Sequence, residues 1–211
     1  MLSSPYILAA FNAWANRRLQ DTCAALTPDQ VTEDRGAFFD SILGTFNHIL
    51  LVDILYRERL EGAKSTFKAL NETLHNDLTS LIAHQTEEDQ RWLDLTRDLD
   101  PDAMAETIGF WTLMDDPDRW EVPKHIYFTN LCQHQAHHRG QIHNMVSQTG
   151  IEPLTVELEN LGLDIDTPDD LEELVHHPVR TRAQEFLVAL GAGHRFGQIP
   201  NDRTPEPERP S

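Results

Sequence analysis

The spacing of apolar residues along the chain predicts four long helices. In four segments, apolar side chains recur every three or four positions, which places them on one face of a helix. Thr27-Pro28-Asp29 interrupts the first segment and Thr149-Gly150 ends the fourth, since proline and glycine disfavour helix continuation. The predicted helices cover residues 4–26, 36–60, 76–99 and 123–148.

The second predicted helix is apolar in nearly every direction. A helix of this kind lies at the centre of a bundle or is buried at a subunit interface. Together with the other three long helices, it predicts an all-α fold, a four-helix bundle. The apolar residues of this helix include Phe39, Ile42, Leu43, Phe46, Ile49, Leu50, Val52, Ile54 and Leu55.

Shorter features complete the predicted architecture. Residues 107–112 and 119–122 flank an Asp-Asp-Pro-Asp turn and predict a short irregular hairpin before the last long helix. Beyond residue 150 the helical period fades, and residues 169–175 and 181–190 are expected to form short helices. We therefore expect a bundle domain over residues 1–150, a C-terminal extension over 151–191 packed on the bundle and a flexible tail over 192–211.

Charge and composition argue against several classes of partner and location. The chain has 17 Lys and Arg against 35 Asp and Glu, a formal net charge of −18, which disfavours nucleic acids and anionic membranes. No apolar run approaches the roughly 18 residues of a membrane span, and residues 1–20 lack a signal-peptide pattern. Cys23 and Cys132 are too few for a disulfide framework and fit a reducing, cytoplasmic location.

The candidate chemistry is concentrated in histidines of the fourth predicted helix. His134 and His138 are four residues apart, which places both side chains on one helix face, about 5–6 Å apart at Cβ. That face is also apolar, and an unpaired buried polar group costs about 1–3 kcal/mol, so each imidazole needs a partner. A shared divalent ion would satisfy both rings. The alternative is a pair of core histidines bonded separately to carbonyls or water.

A third metal ligand is predicted on the second helix. His48 lies among aliphatic residues there, where an unpartnered imidazole is costly. Ser41, Gly44 and Thr45 on the same face are small, and we expect them to leave space beside the ring for an ion, a water and a ligand. Three protein ligands with an open fourth position are typical of catalytic rather than structural zinc sites.

The segments around these histidines resemble the DinB/YfiT-like superfamily of metal-dependent four-helix bundles, which is named for a DNA-damage-inducible member. The resemblance covers residues 6–150 and implies that His48, His134 and His138 bind a divalent ion. It ends where the longer acidic C-terminal stretch begins. The matching segments are Phe-Asn-Ala-Trp-Ala-Asn-Arg-Arg-Leu at 11–19, Arg-Gly-Ala-Phe-Phe-Asp-Ser-Ile at 35–42, Asn-His-Ile-Leu-Leu-Val-Asp at 47–53, and residues 130–140.

The predicted function is that of a metal-dependent enzyme. A divalent ion lowers the pKa of bound water to about 7, which favours a hydrolase, and it deprotonates a bound thiol. The resemblance implies the chemistry of a thiol-dependent S-transferase or isomerase. Three imidazoles suit zinc or nickel first, with iron and copper as alternatives. The resemblance implies a small-molecule substrate, a low-molecular-weight thiol and a homodimer. The competing hypothesis is a non-catalytic stress-response protein in which a structural ion, or packing alone, holds the bundle.

Further side chains are candidates for supporting roles, and no catalytic residue is assigned. Asp53 is about 140° around the helix from His48, so we expect it in a salt bridge rather than on the ion. The competing interpretation of Arg139 is also a salt bridge, and that of His137 is a solvated neighbour. The candidates for orienting a ligand, carrying protons or contacting substrate are His137, Arg139, Gln141, Ser41 and Thr45.

Overall fold

Helices make up most of the described chain, as predicted. The computed structural model describes residues 5–152 except 66, 100 and 114–118. Among these residues, no helix combines the length and the apolar character that a membrane span requires. In chain order the elements are α1 (Pro5–Cys23), α2 (Pro28–Thr32), α3 (Ile42–Leu60), α4 (Leu78–Arg97), a 3-10 helix (Pro101–Ala105), β1 (Thr107–Trp111), β2 (Arg119–Pro123) and α5 (Lys124–Ser147).

The long helices pack against one another, with α3 the most deeply buried. Helix α1 contacts α4 and α5, and α3 contacts the same two helices. Side chains of α3 are buried almost without interruption from Ile42 to Leu55. The all-round apolar pattern of α3 is thus explained by burial within one chain, and the expected homodimer stays a prediction.

The apolar core forms two clusters, and Phe67 and Leu74 pack against both. One cluster contains Leu19, Leu81 and Ile142, and the other contains Ala9, Trp92 and Leu131. On each of α1, α4 and α5, one buried side-chain amide lies in the sequence between the two residues named. They are Asn16, Gln85 and Gln135.

Helix α3 begins at Ile42, whereas the apolar pattern predicts a start at residue 36. Gly36 and Asp40 have φ angles of 71° and 60°, a left-handed backbone that a right-handed helix cannot include. Ser41 then caps the helix, because its Oγ accepts a hydrogen bond of 3.0 Å from Gly44 N. The predicted start is wrong because the apolar residues before Ser41 belong to a loop.

The short helix α2 is absent from the sequence prediction. Thr27 forms a capping box with Gln30: its Oγ1 accepts from Gln30 N at 3.2 Å and its N donates to Gln30 Oε1 at 3.0 Å. Pro28 occupies the first turn, where proline is tolerated. The Thr-Pro-Asp-Gln sequence therefore starts a helix as well as ending the preceding one.

The hairpin predicted before the last helix is confirmed as a two-stranded antiparallel sheet. Ile108 of β1 lies opposite Val122 of β2. Arg59 of α3 anchors the hairpin, because its Nη2 donates to the Trp111 carbonyl at 2.8 Å and its guanidinium lies over the Phe110 ring at 4.5 Å. Residues 114–118 at the tip lie outside the described residues.

The remaining helix boundaries lie within a few residues of the prediction. Asp77 caps α4, since its carboxylate accepts a 2.8 Å hydrogen bond from Ser80 N. Helix α5 covers most of the predicted fourth helix. The expected C-terminal helices at residues 169–175 and 181–190, and the tail at 192–211, lie outside the described residues, as does the extension apart from Ile151 and Glu152.

Substituting Gly44 by alanine is expected to destabilise the fold by about 1–3 kcal/mol. A Cβ at this position would collide with the backbone carbonyl oxygen of Phe39. Gly140→Ala on α5 is the matched control, because its Cβ would meet no atom within 4 Å and alanine is favoured over glycine in helix interiors by about 1 kcal/mol. Urea unfolding of both variants measures the difference, and equal stabilisation by the two substitutions would contradict the close approach at Gly44.

Candidate metal centre

Three histidine side chains from two helices converge between α3 and α5. Each of His48, His134 and His138 offers a ring nitrogen, and these nitrogens all lie within 4.8 Å of one another. The ring centroids are 4.3 Å apart for His134 and His138, 4.6 Å for His48 and His138, and 4.9 Å for His48 and His134. In the part of the chain that the structure describes, no other group of three His, Cys, Asp or Glu side chains converges in this way.

Hydrogen bonds on the outer nitrogens set the tautomers of two rings. His48 Nδ1 lies 2.7 Å from the Leu70 carbonyl oxygen, and His138 Nδ1 lies 2.8 Å from Gln141 Oε1. Both oxygens accept, so each Nδ1 carries the proton and each Nε2 presents a lone pair. A partner on the outer nitrogen is the usual arrangement of a metal-binding histidine.

The contact between His48 and His134 fits a pair of ligands on one cation. Their Nε2 atoms are 2.9 Å apart. Since His48 Nε2 has only a lone pair, this contact requires either a proton on His134 Nε2 or a cation shared by both nitrogens. Two nitrogens bound to one ion at about 2.0–2.1 Å lie roughly 2.9 Å apart at right angles and roughly 3.3 Å apart at the tetrahedral angle. The observed distance matches the first geometry.

Burial keeps the three imidazoles neutral near pH 7. It lowers the pKa of His48 to about 4 and the pKa of His134 to about 3, with a smaller lowering from neighbouring histidines. Burial also lowers the pKa of His138. Neutral imidazole is the form that binds metal ions, so protons compete weakly for this site.

Asn47, which the sequence analysis did not single out, fixes the loop that orients His48. Its Oδ1 accepts hydrogen bonds from Leu74 N at 2.7 Å and His75 N at 2.8 Å, and its Nδ2 donates to the His75 carbonyl at 2.9 Å. The same loop supplies the Leu70 carbonyl for His48. An amide beside His48 on an otherwise apolar helix is the signal that could have identified Asn47.

Phe39 covers one side of the cluster. Its ring stacks on His48 with centroids 3.9 Å apart and planes at 19°, and it meets His138 edge-on at 5.6 Å. The Phe39 carbonyl also occupies the position that a side chain at Gly44 would need. On the Gly44 side, Phe39 therefore fills the space that was predicted beside the His48 ring. The sequence missed Phe39 because its apolar period assigned it to the helix.

The hydroxyl groups predicted to line that space take part in the first turn of α3. Ser41 Oγ accepts from Gly44 N at 3.0 Å, and Thr45 Oγ1 donates to the Ser41 carbonyl at 2.9 Å. Both residues are buried. Ser41 and Thr45 thus have local roles in starting the helix, and their contact with a substrate stays a prediction.

Gln141 links the exposed His137 to the histidine cluster. Its Oε1 accepts from His138 Nδ1, while its Nε2 donates to His137 Nε2 at 3.1 Å. The His137 and His138 ring centroids are 4.9 Å apart. Gln141 therefore supports a ligand of the candidate centre, and His137 is a solvent-facing neighbour of it.

Arg139 is directed into the protein, although it was a candidate for orienting a substrate. It is 3% exposed, and its Nη1 donates to Asn12 Oδ1 and, at 3.0 Å, to Asn16 Oδ1. Burial lowers its pKa to about 10, while Asp53 and other groups oppose this change. Arg139 joins α5 to α1 through amides, in place of the anticipated salt bridge.

Asp53 is not part of the histidine cluster, which agrees with the prediction. Its partners, however, are side-chain amides rather than the cation of a salt bridge. Gln85 Nε2 donates to its Oδ2 at 2.8 Å, and Gln135 Nε2 donates to its Oδ1. Burial raises the pKa of Asp53 well above its ordinary value. The expected salt bridge is replaced by a bridge from α3 to α4 and α5.

The metal-free protein is expected to lose stability as the pH falls below about 6.5. The folded-state pKa values of His48 and His134 lie below the ordinary value of 6.5, so the unfolded chain binds protons that the folded chain cannot. His134→Gln removes one such group. Urea unfolding at about pH 7 and about pH 4.5 should show a smaller loss for the variant than for the wild type, and parallel losses would contradict the assignment.

A comparison with protein families matches the region of the chain that contains this cluster. Residues 1–164 match the model of the DinB family. The matched region contains every described helix, both strands and the three converging histidines. No curated protein matches the chain. Because the match extends over well more than half of the 211 residues, the chain belongs to the DinB family.

Proposed function

We propose that this DinB family member is a metal-dependent enzyme whose ion is held by His48, His134 and His138. The convergence of three histidine nitrogens within 4.8 Å carries the proposal. The lowered pKa values and the fixed tautomers support it, since they present neutral imidazoles with lone pairs directed inward. Three imidazoles suit zinc or nickel, and also iron or copper.

The proposed fold is a four-helix bundle formed by α1, α3, α4 and α5. Contacts of α1 with α4 and α5, and of α3 with the same two helices, support this arrangement. The ligands then come from two neighbouring helices, which places the ion between them. Three protein ligands leave a position open for a small molecule.

The proposed reaction uses water or an external thiol as the nucleophile. When bound, a divalent ion lowers the pKa of coordinated water to about 7 and deprotonates a coordinated thiol. The chain's own thiols are unsuited to the role, because burial raises the pKa of Cys23 and of Cys132 to about 12. The function proposed is therefore that of a hydrolase, or of an S-transferase or isomerase that uses a low-molecular-weight thiol and acts on a small molecule.

Gln141→Leu is expected to weaken zinc binding by about 10–100-fold, the usual effect of removing the partner of a metal-binding histidine. The substitution removes the acceptor that holds the proton on His138 Nδ1. Gln90→Leu is the matched control, because Gln90 bonds to Asp94 on the exposed side of α4. Competition with a chromophoric chelator measures both affinities, and an equal affinity in the two variants would argue against the role of Gln141.

Activity should be sought with the metal-loaded full chain. The protein is incubated with a low-molecular-weight thiol and a set of aryl halides and epoxides, and separately with activated esters for hydrolysis. We expect a product above the background rate that disappears in the double variant His134→Ala with His138→Ala. His143→Ala, a histidine of α5 outside the cluster, should keep the activity.

A structural ion is the second candidate function, and the stacking of Phe39 on His48 favours it by covering one side of the cluster. The two candidates differ in ion exchange and in stability. A catalytic ion should be reached by small chelating anions, and its removal should leave most of the thermal stability. Absence of product together with a large fall in melting temperature on chelation would support the structural role and contradict the enzymatic one.

A further inference from the structure

A second pair of histidines lies outside the candidate centre, where the loop between α3 and α4 meets α4. His75 Nε2 is 2.9 Å from His84 Nδ1, and the ring planes are at 85°. Both residues are half-buried, so an ion has access to them from solvent. The nitrogen–nitrogen distance is the same as that between His48 and His134. It again matches the roughly 2.9–3.3 Å expected of two nitrogens on one ion.

Both rings are held in place before any ion binds. The backbone of His75 makes two hydrogen bonds with the Asn47 side chain, through its N and its carbonyl oxygen, and the neighbouring Leu74 N makes a third. His84 lies in the second turn of α4, where the helix fixes its backbone. Little conformational freedom is therefore lost when the two side chains share a ligand.

The electrostatic surroundings tolerate a cation. The Asp77 carboxylate interacts with His75, and the Glu87 and Glu88 carboxylates interact with His84, while Arg91 opposes them. Burial lowers the pKa of His84, so its ring is neutral near pH 7. Two imidazoles beside carboxylates form a donor set that suits zinc, nickel or copper.

We propose that His75 and His84 form a second divalent-ion site, with water completing the coordination shell. An ion at this site would tie the α3–α4 loop to α4. The same loop supplies the Leu70 carbonyl to His48 and packs its backbone on Asn47. Occupancy of the second site should therefore favour binding at the first, and the coupling must be reciprocal.

Zinc titration of the full chain tests the proposal by calorimetry and by NMR of ¹⁵N-labelled histidine. The His134→Ala variant, which lacks a ligand of the first centre, should still bind zinc, and the ring nitrogens of His75 and His84 should shift together. Adding His84→Ala or His84→Gln should weaken that binding by at least about 10-fold, whereas adding His143→Ala should not.

The competing explanation is a plain hydrogen bond between the two rings. In that case millimolar zinc leaves the His75 and His84 resonances unshifted in the His134→Ala variant, and this result would overturn the proposal. Because this readout is made with both rings present, it does not depend on whether the His84 variants fold. The shifts of His75 and His84 also do not depend on whether the first centre binds zinc. If the first centre does not bind zinc, the ring resonances of His48 and His138 stay unshifted in the wild type.

Discussion

Replacing His48 by alanine should lower the affinity for zinc or nickel by more than about 100-fold, since loss of an outer partner alone costs about 10–100-fold. His48 is the only member of the cluster that comes from α3, and its Nε2 lies 2.9 Å from that of His134. Without it, His134 and His138 remain as two ligands on one helix. Calorimetric titration of the metal-free variant gives the affinity, and circular dichroism checks that the helices are retained.

His137→Ala is the matched control for this experiment. His137 is adjacent to His138 in the sequence, but it is exposed; it bonds to Gln141 and meets the His138 ring edge-on. We expect its removal to change the affinity by less than the removal of Gln141 itself. A His48→Ala variant that binds as tightly as His137→Ala would contradict the assignment of His48 as a ligand.

The largest effect on stability is expected for Arg57→Ala, which should destabilise the fold by about 3–5 kcal/mol. Arg57 Nε and Nη2 contact the two carboxylate oxygens of Glu88 at 2.5 and 3.1 Å. The Glu88 side chain is completely buried, and the other cation beside it, Arg91, is half-exposed at 3.3 Å. Removing Arg57 would leave a poorly compensated charge between α3 and α4.

Arg97→Ala provides the comparison for Arg57→Ala. Arg97 pairs with Asp94 at 2.9 Å, but both side chains are more than half exposed. Exposed pairs of this kind contribute about 0–1 kcal/mol. Urea unfolding of the two variants should separate them clearly. A similar small loss of stability in both variants would contradict the role of Arg57 as the main partner of Glu88.

Much of the candidate centre could be predicted because helix geometry is regular. A spacing of four residues placed His134 and His138 on one face of α5, and burial of α3 brought His48 opposite to them. These inferences need only the helical period and the cost of an unpartnered buried imidazole. The same regularity explains why the four long helices were predicted to within a few residues, except at the start of α3.

The parts that escaped prediction depend on the backbone and on tertiary contacts. The acceptor for His48 is the Leu70 carbonyl, a group that every residue carries, so no side chain in the sequence indicates it. The left-handed backbone at Asp40 prevents α3 from starting before Ser41, although the apolar pattern extends further toward the N-terminus. The partners of Asp53 are amides on α4 and α5 whose approach depends on helix packing.

X-ray absorption at the metal edge of the purified full chain measures directly whether three histidines bind the ion. We expect one shell of three imidazole nitrogens at about 2.0–2.1 Å, with non-protein oxygen ligands such as water completing the shell and no sulfur. His134→Ala should remove one imidazole from that shell, and His143→Ala should leave it unchanged. A metal-loaded protein whose spectrum shows fewer than three imidazoles, or a spectrum identical in His134→Ala and the wild type, would contradict the three-histidine site.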